Sequence, residues 1–173
     1  MNSGLFPFIA GIVMGSLAWA AVLLRYVWPR TREWDLRRVA EPILYVHLFR
    51  YVGLAFVMPG VVDHALDGRW AYPAAYGDLA SSLLAGVALL LSTGKLFRPS
   101  LWLFSIWGTI DLLLAAVAGP TYDIPTHLQA TYFLLIVPVP LLLWTHVILY
   151  VRLLRSEGPH RASASPALDV PKA

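Results

Sequence analysis

Five ionisable side chains interrupt long apolar stretches of this sequence: His47, Arg50, Asp78, Asp111 and His146. A charge at the centre of a bilayer costs about 2.5–3.5 kcal/mol or more. Such groups therefore turn toward a bundle interior or a water-filled path and find one another. Arg50 and Asp111 carry opposite charge. With Glu41 and Ser100 as helix ends, a rise of about 1.5 Å per residue puts them about 14 and 16 Å deep. The spacing predicts a pair between two helices near mid-depth. His47, three residues before Arg50, lies on the same helix face, and the group has two competing roles. It either pins helix register, or serves as a proton relay or a seat for an anionic headgroup or substrate. As a pin, Asp111→Asn lowers thermal stability much as Arg50→Gln does, with a non-additive double mutant.

The same depth argument places His47 and His146 about 9 and 8 Å from one end. Two imidazoles at one level on different helices are what a b-type haem iron takes as axial ligands. The competing role for His146 is a hydrogen bond to a backbone carbonyl or to Tyr150, four residues on. A third set, Asp63, His64, Asp67, Asp123 and His127, falls in two connections. Carboxylates converging with imidazoles there would suit zinc or manganese. Asp63 and His64 are adjacent, however, and no His-Glu-x-x-His or Cys-x-x-Cys spacing occurs, so solvated loop residues are the alternative. The sequence has no Walker loop, GxGxxG, GxSxG or kinase set, and no cysteine. Disulfides, thiolate metal sites, iron–sulfur clusters and covalently attached haem are excluded.

The elements that would position these residues follow from hydropathy. The chain is 58% hydrophobic and 13% charged, with mean hydropathy +0.66. So few charges cannot coat a water-soluble domain of this size. Five apolar stretches approach the roughly 20 residues that a hydrocarbon core demands of a helix. They run from Leu5 to Leu24, Ile43 to Val62, Leu79 to Leu91, Leu101 to Ala118 and Tyr132 to Val151. The third is cut short by Asp78 and extends back to Ala74 only if that aspartate sits at headgroup level. The expected fold is an all-α polytopic bundle of five transmembrane helices over residues 1–156. A disordered cytoplasmic tail, rich in Ser and Pro, follows over 157–173.

The basic residues orient the bundle. Arg25, Arg30, Arg32, Arg37, Arg38, Lys95, Arg98, Arg152, Arg155, Arg161 and Lys172 fall on one side, whereas the other holds only Arg69, beside Asp63, Asp67 and Asp123. The positive-inside rule makes the first side cytoplasmic, with the N-terminus outside and the C-terminus inside. The same distribution is topological rather than a nucleic-acid stripe. No basic residue precedes the first apolar stretch, so it is a retained helix and not a signal peptide. Gly11 and Gly15 form a GxxxG pattern that permits close backbone approach, either within the bundle or across a homodimer. Pro138 and Pro140 predict a kink that frees carbonyls near Leu134 and Ile136.

The run from His47-Leu-Phe-Arg50 through Gly53 to Val62, with Pro73-Ala-Ala-Tyr-Gly-Asp78 and Trp107-Gly-Thr-Ile-Asp111, resembles a group of small bacterial multi-pass proteins without an assigned activity. It is also similar to DoxX-like four-helix proteins, whose first helix carries an Arg, small residues and a closing Gly. The chain departs from them in its fifth span and in lacking a charge after that Gly. The resemblance implies a bacterial inner membrane. Without a catalytic motif, the first functional expectation is a non-catalytic subunit or helper of a membrane assembly. The alternatives are a b-type electron carrier on His47 and His146, and a small proton-coupled transporter on Arg50 and Asp111.

Overall fold

The computed structural model describes residues 4–155, and the tail expected over 157–173 lies outside them. Five helices are long and apolar enough to cross a membrane: α1 (Leu5–Thr31), α2 (Leu36–Val57), α3 (Gly68–Leu90), α4 (Phe97–Tyr122) and α5 (Gln129–Arg155). No strand forms among the described residues.

Two of the helices begin ahead of their apolar stretches where an aspartate caps them. Asp35 starts α2, its carboxylate accepting the Arg38 N–H at 2.7 Å. Asp67 starts α3 and accepts from the Arg69 N–H at 2.8 Å. Each satisfies a donor that a helix N-terminus leaves without an intrahelical partner. The second cap has the larger consequence. It sets the start of α3 at Gly68, so Asp78 lies mid-helix and not at the outer end where the sequence placed it.

Prolines shape the other helices. In α1 the backbone widens to a π turn over Leu23–Val27, just before Pro29, which accommodates a ring that would otherwise press on the preceding turn. In α5 the helix breaks at Val137, ahead of Pro138, and the Val137 carbonyl accepts the Trp19 indole N–H at 2.9 Å. Gly15 rests against the Ile136 carbonyl, where an added methyl would overlap it, and Gly11 faces Tyr132 and Ile136. The GxxxG face of α1 therefore packs against α5 of the same chain.

α3 packs against α2 and α4, while α5 packs against α1, α2 and α4. Beyond Trp70, the inward face of α3 is rich in small residues, with Ala71, Ala74, Ala75, Gly77, Ser81, Ser82, Ala85 and Ala88 all buried, so its neighbours approach closely. Two apolar clusters result, one around Leu44, Leu101, Phe104 and Leu149 and the other around Phe56, Trp70, Ile124 and Leu128. The polar side chains lie between them. One bundle end is fastened by Arg152, which donates to the carbonyls of Thr31 and Arg32, and by Arg98, which donates to Leu153 O at 2.9 Å. At the other end the Asp63 N–H donates to His127 O at 3.1 Å.

Candidate functional site

The centre of the site is Arg50, whose side chain is 1% exposed. Its position depends on a change of helix type. α2 is α-helical to Leu48 and 3-10 from Phe49 to Val57. With three residues per turn, side chains three apart stand in line. His47, Arg50, Gly53 and Phe56 thus form one buried row. Ser82 Oγ donates to Leu48 O at 2.6 Å, holding α3 to the changeover.

Arg50 meets two carboxylates. Its Nε donates to Asp78 Oδ1 at 2.7 Å and its Nη2 to Asp111 Oδ2 at 2.6 Å, while Nη1 reaches Gly108 O at 3.4 Å. The sequence expectation counted Asp78 in one intramembrane polar cluster with His47, Arg50 and Asp111, but paired Arg50 directly with Asp111 and put Asp78 at headgroup level; the structure brings Asp78 and Asp111 together on Arg50 across α2, α3 and α4. Three glycines make room for them. A methyl on Gly53 would overlap Asp78, and one on Gly77 would overlap Asp111. At Gly108 an added methyl would stand 2.6 Å from His146 Nε2 and 2.8 Å from Arg50 Nη1. The position of Asp78 and the roles of these glycines were not read from the sequence, although the small-residue face of α3 is visible there.

With both carboxylates ionised, the cluster has two negative charges against one positive. It lies between two cavities. One, of about 190 Å³, opens between α2 and α5 and is lined by Phe49, Val52, Phe56, Leu134 and Leu142, with Arg50 and Asp78 as its charged groups. The other, of about 80 Å³, borders Asp78 and Asp111 from the side of Ser16, Trp70 and Pro140.

His47 and His146 also come together, with ring centroids 4.6 Å apart and Phe104 against both. This contact does not fit the haem expectation. Axial imidazoles of one iron face each other across a macrocycle, whereas these rings touch, and His47 Nε2 is already 2.9 Å from Thr145 Oγ1. Nor does His146 bond Tyr150, whose hydroxyl donates to Ser105 O at 2.9 Å.

The acidic and imidazole residues of the connections between α2 and α3 and between α4 and α5 do not converge as a metal site. Among the described residues no three His, Asp or Glu side chains are grouped to hold an ion. Asp63 lies 3.7 Å from His127, but Asp67 is taken by Arg69 at 2.7 Å, and Asp123 accepts from Thr126. The Ala65 N–H holds the Asp63 carboxyl below the usual carboxylate range, with His127 and His64 reinforcing it. Arg69, through its side chain and then its N–H, does the same for Asp67.

No curated protein and no solved structure matches the chain, so the DoxX-like resemblance finds no counterpart. A family model does match, over residues 7–154, from the first helix to the end of the last and including every residue of the Arg50 cluster. The chain belongs to the family described as Domain of unknown function (DUF8737).

Proposed function

We propose that this chain is a multi-pass membrane protein, with its N-terminus outside and its C-terminus in the cytoplasm, that acts as a small proton-coupled transporter through Arg50, Asp78 and Asp111. The observation that carries this reading is the stoichiometry of the cluster: one guanidinium engages two carboxylates. In hydrocarbon such a group is neutral only when one further positive charge is added, and the smallest one available is a proton. A register pin needs one carboxylate, and the second is what a proton-exchanging site requires. The two cavities that meet at Asp78 provide space on both sides of the exchanging group. Five apolar helices and the concentration of Arg and Lys at the end of the bundle fastened by Arg152 support the membrane assignment and its direction.

The reading of a non-catalytic subunit or helper keeps one point in its favour. Arg50 spends donors on Asp78, Asp111 and Gly108 within its own chain, as a structural latch would. One experiment separates the two. The purified chain is reconstituted into vesicles with a trapped pH-sensitive dye, and internal pH is followed after an external acid step with the membrane potential clamped. A transporter moves protons faster than empty vesicles, and Asp111→Asn and Asp78→Asn each abolish that flux. A wild-type rate equal to that of empty vesicles, or unchanged in both variants, rejects the reading and leaves the latch.

A further inference from the structure

The larger cavity beside the cluster has apolar walls that the Arg50 ion pairs do not need. Its α2 side is built from two neighbouring rows, because the 3-10 winding lines up residues three apart. Arg50, Gly53 and Phe56 form the inner row. Phe49 and Val52 form the outer row, exposed on the flank of the bundle. The α5 side is the segment around the break at Val137, with Leu134, Pro138 and Leu142. The cavity thus opens sideways between apolar side chains, level with Arg50. A ligand arriving there comes from hydrocarbon and needs an apolar body. At about 190 Å³ the space exceeds the roughly 150 Å³ of an apolar cavity that takes up benzene.

The charge at the inner end decides what head group that body carries. Arg50 and its two carboxylates sum to one negative charge when both aspartates are ionised. An anion would add to that charge and a neutral head would leave it, whereas one cation cancels it. Asp78 reaches the cavity with 15% of its side chain exposed. Its Oδ1 takes the Arg50 Nε, while Oδ2, against Gly53, accepts no hydrogen bond among the described residues. A carboxylate oxygen is an acceptor only, so it calls for an N–H or O–H donor. An ammonium brings that donor together with the missing charge.

We propose that this cavity binds a small lipophilic amine in its ammonium form, with the apolar body between α2 and α5 and an N–H on Oδ2 of Asp78. The inference rests on the proton-coupled reading and names what the proton is exchanged for. Asp78 in its carboxylic acid form gives its O–H proton to water as the ammonium arrives, and the ammonium then faces the carboxylate. One positive charge enters for each that leaves, so the cluster stays neutral.

The probe is benzylamine, protonated at neutral pH, titrated calorimetrically into the full chain in micelles, with the heat of protein-free micelles subtracted. It binds saturably, and the heat depends on the ionisation enthalpy of the buffer because a proton is released. Benzyl alcohol and phenylacetate, similar in shape but neutral and anionic, bind about tenfold or more weakly, as expected for a lost charge-assisted hydrogen bond. Val52→Trp, which fills the mouth, and Asp78→Asn weaken benzylamine by a like factor, while Leu114→Trp, exposed on α4, does not. Thermal melting and gel filtration show which variants fold, and the three probes compared on the wild-type chain decide the matter if Asp78→Asn does not. No saturable benzylamine binding, or equal binding in folded Val52→Trp, overturns the site. Benzyl alcohol binding as tightly as benzylamine also overturns it and makes the cavity a slot for a lipid acyl chain. Amine binding by a chain that moves no protons in the vesicle assay rejects the transporter and leaves the site. Proton flux without amine binding does the reverse.

Discussion

Gly77 lies so close to Asp111 that a single added methyl would overlap the carboxylate, making the α3 backbone the wall against which this side chain rests. Gly77→Ala should therefore destabilise the bundle by about 1–3 kcal/mol, the range for forcing extra volume into a packed interior. Gly119→Ala is the control, since it has helical backbone angles and nothing within 4 Å of an added methyl. Alanine there should leave stability unchanged or slightly raise it. Thermal melting of the two variants in detergent reads the difference; equal losses would mean that Asp111 moves aside freely.

Arg50 and its two carboxylates should respond unequally to neutralisation. Arg50→Gln leaves two negative charges buried together and should cost about 3–5 kcal/mol. Asp111→Asn or Asp78→Asn leaves a neutral ion pair and should cost much less. The sequence alone led to an expectation of similar losses for Arg50→Gln and Asp111→Asn; with Asp78 beside Arg50 to balance the guanidinium, unequal losses are expected instead. The double variant Asp78→Asn/Asp111→Asn strands the guanidinium and should exceed the sum of the two single losses. Unfolding of the four variants in mixed micelles measures this; additive aspartate losses would contradict a shared partner.

Acid should loosen the connections that carry Asp63 and His127. The folded-state pKa of Asp63 lies below its ordinary value of about 3.9, first because the Ala65 N–H bonds its carboxylate. A depressed carboxyl stabilises the folded form above the unfolded value, and this is lost as pH falls through the folded one. Amide exchange, corrected for intrinsic rate, should therefore rise at Asp63 and over residues 123–128 as pH drops below about 4. Asp63→Asn, which keeps an oxygen acceptor, should flatten that response. A wild-type profile as flat as that of the variant would show that the carboxylate plays no part.

Orientation is directly measurable because the chain contains no cysteine. Single cysteines at Ala65, between α2 and α3, and at Ser92, between α3 and α4, lie on opposite sides of α3. With the N-terminus outside, a membrane-impermeant maleimide applied to intact cells should label Ala65→Cys and spare Ser92→Cys until the membrane is opened. The reverse pattern would invert the bundle.

What the sequence determined by itself was one-dimensional. Apolar length set the number of helices, and the rise per residue put Arg50 and Asp111 at one depth, because both properties accumulate along the chain. Pro138 likewise announced the break at Val137, since a missing N–H is a local fact. What only the tertiary structure decided was direction around the helix axes and the polar partners each side chain finds. The cap at Asp67 begins α3 early enough to bring Asp78 to the depth of Arg50, although the apolar run alone had left it at the edge. The 3-10 stretch of α2 puts His47, Arg50, Gly53 and Phe56 on one line, and hydropathy does not register that change of winding. Arg69 and Thr126 claim Asp67 and Asp123, so matching residue types in these two connections do not become a site. Asp78 bonds Arg50 because Gly53 and Gly77 let three backbones close to within a side chain of one another, and that closeness exists only when α2, α3 and α4 are packed together.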